Sequence, residues 1–333
     1  MPANHHRILL TLAGLASLTA TAAAQSTDAP AKPADPEPAS VSVPAVESPS
    51  QLVPRPSATP SFTLDLRPRA EYTFESSLDD ADADLSVARA GLIADLAIPI
   101  NERFRLALNT DFELSWYDFE SDDTGSAGLF DDPLEDVYRF RVSPGFFYAV
   151  NQQWGVLAGG IVEIAGEAGA DVADSTTWGG YVGARYAFSE NFAMTGGVMA
   201  KTRIEDNALF LPIIGFEWKV NSRVTLSTSG PGFGLRLHTM IDEKWSMSLG
   251  AAWESRDFRL DDDAMISGGI ARDERVPITL GVTYKPTDRV TLALYGGAIV
   301  WQELSLDDED GNELVEDNTD PTPFVGFTAS FRF

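Results

Sequence analysis

The sequence predicts an all-β fold, an antiparallel transmembrane β-barrel of about fourteen strands, with about twelve as the alternative count. Three observations predict it. Apolar and polar residues alternate with period two through the chain beyond residue 61, short polar turns alternate with longer acidic connections, and no later apolar run reaches the roughly 20 residues of a membrane helix.

Residues 1–24 read as a signal peptide. Arg7, with His5 and His6, stands before the apolar stretch Ile8 to Ala16, and the small residues Ala22, Ala23 and Ala24 precede Gln25. Residues 25–60 carry Pro30, Pro33, Pro36, Pro38, Pro44, Pro49, Pro54, Pro56 and Pro60 among Ala, Ser and Thr, with no aromatic side chain. Such a segment buries too little apolar surface to order itself, and the expectation is a disordered, semi-rigid periplasmic linker.

Residues 61–333 are expected to form the barrel. From Phe62 to Glu75, the positions Phe62, Leu64, Leu66, Ala70, Tyr72 and Phe74 are apolar, whereas Asp65, Arg67, Arg69, Glu71, Thr73 and Glu75 are polar, as in a strand with two unlike faces. Arg103 to Trp116 and Tyr138 to Tyr148 repeat the pattern, and weaker copies lie at 178–188, 245–253, 276–284 and 290–300. Tight turns fall at 99–102, 151–153, 189–191, 221–222, 242–244 and 286–288, between mostly longer acidic connections near 77–84, 119–135, 169–175, 260–273 and 306–321. Short turns on one rim and long loops on the other are the organisation of outer-membrane barrels. The hairpin from Arg223 to Ile241 is the weak point, because Val224 to Ser229 is short for a span. Were it to lie outside the wall, about twelve strands would remain.

The choice between lipid and a soluble core rests on the content of each face. One face collects Arg67, Arg69, Arg89, Arg105, Arg139, Arg141, Arg185 and Arg203 together with Asp111 and Glu113, and these are the candidate lumen-lining residues. The other is aliphatic, with Trp116, Tyr138, Trp154, Trp178, Trp218 and Trp245 near strand ends, as in interfacial girdles. In hydrocarbon every backbone polar group must be bonded, so long strands face lipid only in a closed barrel.

Composition excludes several alternatives. Cysteine is absent, which removes disulfides, thiolate metal sites and Cys nucleophiles. A net charge of −26 makes nucleic acid an unsuitable partner. His238 is the one histidine beyond the signal peptide, and it lies near the tight turn at 242–244, opposite the rim where a hydrolase of this architecture would hold its base. No catalytic residue, cofactor or ordered metal site is expected. The acidic stretch Asp307 to Glu313, with Asp261 to Asp263 and Asp122-Asp123, is suited to loose divalent-cation binding. It is not an EF-hand loop, since Gly311 at the sixth place would put Leu306 at the first ligand position.

The terminus Phe327-Thr-Ala-Ser-Phe331-Arg-Phe333 resembles the closing strand of bacterial outer-membrane β-barrel proteins, with Val325, Phe327, Ala329, Phe331 and Phe333 at alternate positions. The resemblance implies that Phe327, Phe331 and Phe333 form the signal read by the barrel-assembly machinery. Residues 230–236 and 258–263 resemble a group of uncharacterised barrels, which implies no activity. The functional expectation is a non-enzymatic, porin-like passive channel for small hydrophilic solutes. A non-transporting surface or structural protein anchored by the barrel is the alternative. The sequence leaves open whether the 119–135 connection folds into the lumen.

Overall fold

The computed structural model describes residues 62–121, 128–130, 133–134, 136–229 and 234–333. The expected signal peptide and Pro-rich linker lie outside the described residues. The strands are β1 (Thr63–Ser77), β2 (Ala83–Pro99), β3 (Phe104–Ser121), β4 (Asp136–Ala149), β5 (Trp154–Glu167), β6 (Thr176–Ala187), β7 (Phe192–Arg203) and β8 (Asp206–Lys219). They continue as β9 (Val224–Ser229), β10 (Gly234–Met240), β11 (Trp245–Ala252), β12 (Glu254–Arg259), β13 (Ile270–Thr287), β14 (Val290–Asp307), β15 (Glu313–Asn318) and β16 (Thr322–Arg332).

Neighbouring strands pair antiparallel, and β16 closes the ring by pairing with both β14 and β1. β11 and β12 both pair with β13 and form one wall strand interrupted at Trp253, and β15 and β16 both pair with β14 in the same way. The result is a closed 14-strand barrel. The short β9–β10 hairpin belongs to the wall, which decides between the two strand counts.

Five of the six tight turns share one chemical device. Asn101, Asn151, Asn221 and Asp242 each accept hydrogen bonds through Oδ1 from the backbone N–H groups two and three residues later, and Thr287 does the same through Oγ1. A short polar side chain that bonds its own backbone in this way closes a tight reversal without a glycine. The N–H groups of Lys244 and Trp245 hold the Asp242 carboxyl below its ordinary value.

The outer surface carries the band expected of a membrane barrel. Val162, Val182, Val198, Phe210, Ile214, Leu280 and Leu294 are exposed on it. Trp154, Tyr186, Phe188, Trp218, Trp245 and Tyr284 lie beside the tight turns, and Trp116, Tyr138 and Trp178 lie towards the opposite rim. Exposed aliphatic side chains between two aromatic belts are stable in hydrocarbon and costly in water. No helix among the described residues is long and apolar enough to cross a membrane, so the strands do the spanning.

Towards the rim of the long connections, the interior closes over an apolar cluster. Leu85 and Val87 of β2, Tyr117 of β3, Val137 of β4, Phe258 of β12 and Leu304 and Leu306 of β14 meet Phe130 and Leu134 from the β3–β4 connection. The described part of that connection therefore folds inward. β12 leans in as well, and Arg259 makes a parallel bridge to Gly166 of β5.

Candidate functional site in the barrel interior

The inner face is set by the pleat. In β3 the interior receives Asp111, Glu113, Ser115 and Tyr117, all buried, while Phe112, Leu114 and Trp116 are exposed outside. Pairing places Asp111 beside Arg141 and Glu113 beside Arg139 of β4. From the other side Arg69 of β1 reaches both carboxylates, at 2.8 Å each. Arg139 lies 3.4 Å from both Asp111 and Glu113, and Arg141 lies 3.2 Å from Asp111. Neighbouring strands of one wall thus build a five-residue block of alternating charge.

Further pairs join that wall to β12 and β13. Arg256 of β12 donates to Glu113 at 3.0 Å and to Glu254 at 3.1 Å. Arg275 of β13 bonds Glu71 of β1 and Glu254, at 2.8 Å each. Arg89 of β2 bonds Asp273 of β13 at 2.7 Å and the Tyr117 hydroxyl at 3.1 Å, and the same Asp273 accepts from Tyr117 at 2.7 Å and from Gln302 at 2.8 Å. A buried carboxylate is tolerable when several donors surround it, and Asp273 meets that condition. The network forms a polar layer inside the barrel beneath the apolar cluster.

The remaining candidate residues sit apart from this layer. Arg67 pairs with Asp95, and Arg185 lies 3.4 Å from Glu217. Arg203 joins Asp206 at 2.9 Å and Asp257 at 3.1 Å near the rim of the long connections. Arg105, near the tight-turn end of β3, has no acidic partner among the described residues, and its Nε makes no hydrogen bond.

Asp273 and Arg275 were not legible in the sequence as interior residues. They lie in Ile270-Ala-Arg-Asp-Glu-Arg275, where charged side chains occupy consecutive positions and no period-two contrast marks a face. The structure points Asp273 and Arg275 inward and leaves Arg272 and Glu274 less buried.

The inner wall of β5 to β10 is built differently. It carries Gly159, Gly183, Thr195, Gly197, Gly215 and Ser227, with Lys201 paired to Glu163 at 2.6 Å. Tyr181 fills part of this space, since a Cβ at Gly145 or Gly159 would collide with its ring. His238 lies in register between Thr225 of β9 and Ser248 of β11. No group of three His, Cys, Asp or Glu side chains suited to a metal ion occurs among the described residues. Asp307, the last residue of β14, pairs with Arg272 at 2.7 Å, and in the acidic connection that follows the Asn312 amide holds the Asp308 carboxyl below its ordinary value. Phe327 and Phe331 of β16, and Phe333 just beyond it, are exposed.

A closed barrel with a charged, ion-paired interior and an aliphatic outer band between aromatic belts is a bacterial outer-membrane protein. Among solved structures, the chain resembles a Pseudomonas aeruginosa FadL homologue at 12% identity and a TM-score of 0.48, covering 87% of this chain and 98% of the other. It resembles an outer membrane channel from Pseudomonas putida F1 at 13% identity and a TM-score of 0.43, covering 83% and 97%. It also resembles the Pseudomonas putida toluene transporter TodX at 9% identity and a TM-score of 0.38, covering 86% and 94%. No curated protein matches the chain. The model of a family described as a domain of unknown function, DUF6268, matches residues 139–333, more than half of the sequence, and this outer-membrane β-barrel belongs to that family.

Proposed function

We propose that the protein is a passive channel for small hydrophilic solutes, with small anions favoured over cations, and not an enzyme. The observation that carries this reading is Arg105, a guanidinium held on the inner face without an acidic partner among the described residues. An ionisable group kept inside a membrane protein needs water or a transiting counter-charge, and such groups mark solute paths. Small residues line β5 to β10 beside the ion-paired layer, and in this reading solutes pass along that wall. Phe327, Phe331 and Phe333 act as the assembly signal, and the acidic outer connections hold divalent cations only loosely. Liposome swelling tests the reading. Vesicles containing the protein should swell in isotonic small sugars or salts faster than empty ones, and equal rates would refute it.

A second reading, a non-transporting envelope protein, draws on the apolar cluster and the buried ion pairs that fill the interior near the long connections. Absence of swelling would favour it.

A further inference from the structure

β9 and β10 are short, so among the described residues the wall beside β8 is incomplete. β8 pairs with β7 from Phe192↔Trp218 up to Arg203↔Asp206, but with β9 only through Glu217, Trp218 and Lys219. One step higher, the Phe216 N–H donates to the Thr228 hydroxyl at 3.0 Å, and that hydroxyl lies 3.5 Å from the Phe216 carbonyl. Beyond this, no described strand pairs with that edge. Because backbone groups alternate in direction along a strand, Ile214, Pro212 and Phe210 turn their polar groups to the same unpaired side as Phe216.

The unpaired stretch lies at membrane depth. Register sets Phe210 opposite Ala200 and Ala200 opposite Gly180, two residues below Trp178 of the upper belt. Trp218 and Tyr186 of the lower belt lie beyond its other end. Phe210, Pro212 and Ile214 are exposed outside, and the alternate residues Leu209, Leu211 and Ile213 face the interior. This segment is therefore apolar on both faces. Across the gap, the last described β10–β11 pair is Gly234↔Ala252, and among the described residues the other edge of β12 makes only the Arg259 bridge to β5. Above, Arg203 ties Asp206 to Asp257 and frames the gap with ions.

An unpaired edge in hydrocarbon is costly, and a proline on that edge removes one donor that would otherwise need a partner. The same proline disfavours closure by a further strand from a second copy, since it breaks the ladder such a strand would need.

We infer that the wall opens sideways between β8 and β11–β12, and that an acyl chain of the surrounding leaflet reaches the interior there, against Leu209 and Leu211. This is a route for apolar chains from the membrane, separate from the axial path for hydrophilic solutes.

The absence of native cysteine allows single labels. Bimane is attached to Leu209→Cys, Leu211→Cys, Ile214→Cys and Ser143→Cys, the last on the inner face of β4. Each protein is inserted into phosphatidylcholine vesicles with brominated acyl chains, and folding is verified by heat-modifiable gel mobility. Ile214, on the lipid face, should lose most of its fluorescence, Leu209 and Leu211 should be quenched to a similar extent, and Ser143 should stay bright. Quenching at both Leu209 and Leu211 no greater than at Ser143 would overturn the proposal. So would shielding of Ile214, which signals a strand or second copy covering the edge. Two inner positions keep the test valid if one variant fails to fold, and neither readout depends on ion conduction.

Discussion

Replacing Glu113 by Ala should cost the barrel about 3–5 kcal/mol, the range for stranding a buried charge by removing its partner. The carboxylate is 3% exposed and holds Arg69 at 2.8 Å, Arg256 at 3.0 Å and Arg139 at 3.4 Å, with guanidiniums that are 7%, 5% and 12% exposed. Without it, Asp111 must serve Arg69, Arg139 and Arg141, while Arg256 keeps, among the described residues, the Glu254 ion pair alone. Positive charge then exceeds negative among side chains that are almost wholly buried. The loss is measured by urea titration of protein folded into lipid vesicles, read by tryptophan fluorescence and gel mobility. Adding Arg256→Ala to Glu113→Ala should restore part of the stability, with a coupling of about 0.5–3 kcal/mol in the double-mutant cycle. A Glu113→Ala loss within about 1 kcal/mol, the range of exposed ion pairs, would show the layer to be solvated and refute the reasoning.

Four further outcomes follow from named residues. Arg105→Glu should move ion preference towards cations, seen as a shift in reversal potential under a salt gradient. Arg141→Glu, which sets a carboxylate against Asp111, should instead lower stability in the urea titration. Asp242→Ala should destabilise the β10–β11 turn at neutral pH. The folded carboxyl is held below its ordinary value, so its contribution is present above the unfolded value and fades as pH falls through the folded one, and unfolding titrations of both proteins should converge in acid. Deleting Phe333 should reduce the folded protein recovered from outer membranes while leaving refolding into pure lipid largely intact, as quantitative blotting of both preparations would show.

Much of the architecture was legible because a membrane wall imposes a local rule. The alternation from Phe62 to Glu75 and from Arg103 to Trp116 anticipates β1 and β3, since each residue's face follows from its neighbours. Asn101, Asn151 and Asn221 marked turns for an equally local reason, a side chain bonding its own backbone. What escaped depends on distant partners. Val224 to Ser229 was visibly short, but the unpaired edge it leaves on β8 is a property of register, and Pro212 was its only local sign. The inward lean of β12 and the pairing of Asp273 with Arg89 join segments far apart in sequence, and unbroken charge from Arg272 to Arg275 concealed which side chains point inward. Phe130 and Leu134 sit in an otherwise acidic connection, where nothing nearby shows that two apolar side chains complete the cluster inside the barrel.

The most direct test of the channel is current through the purified, lipid-inserted protein in a planar bilayer. Discrete conductance steps, with a reversal potential favouring anions, are the predicted result. A silent bilayer containing demonstrably folded barrels would contradict it.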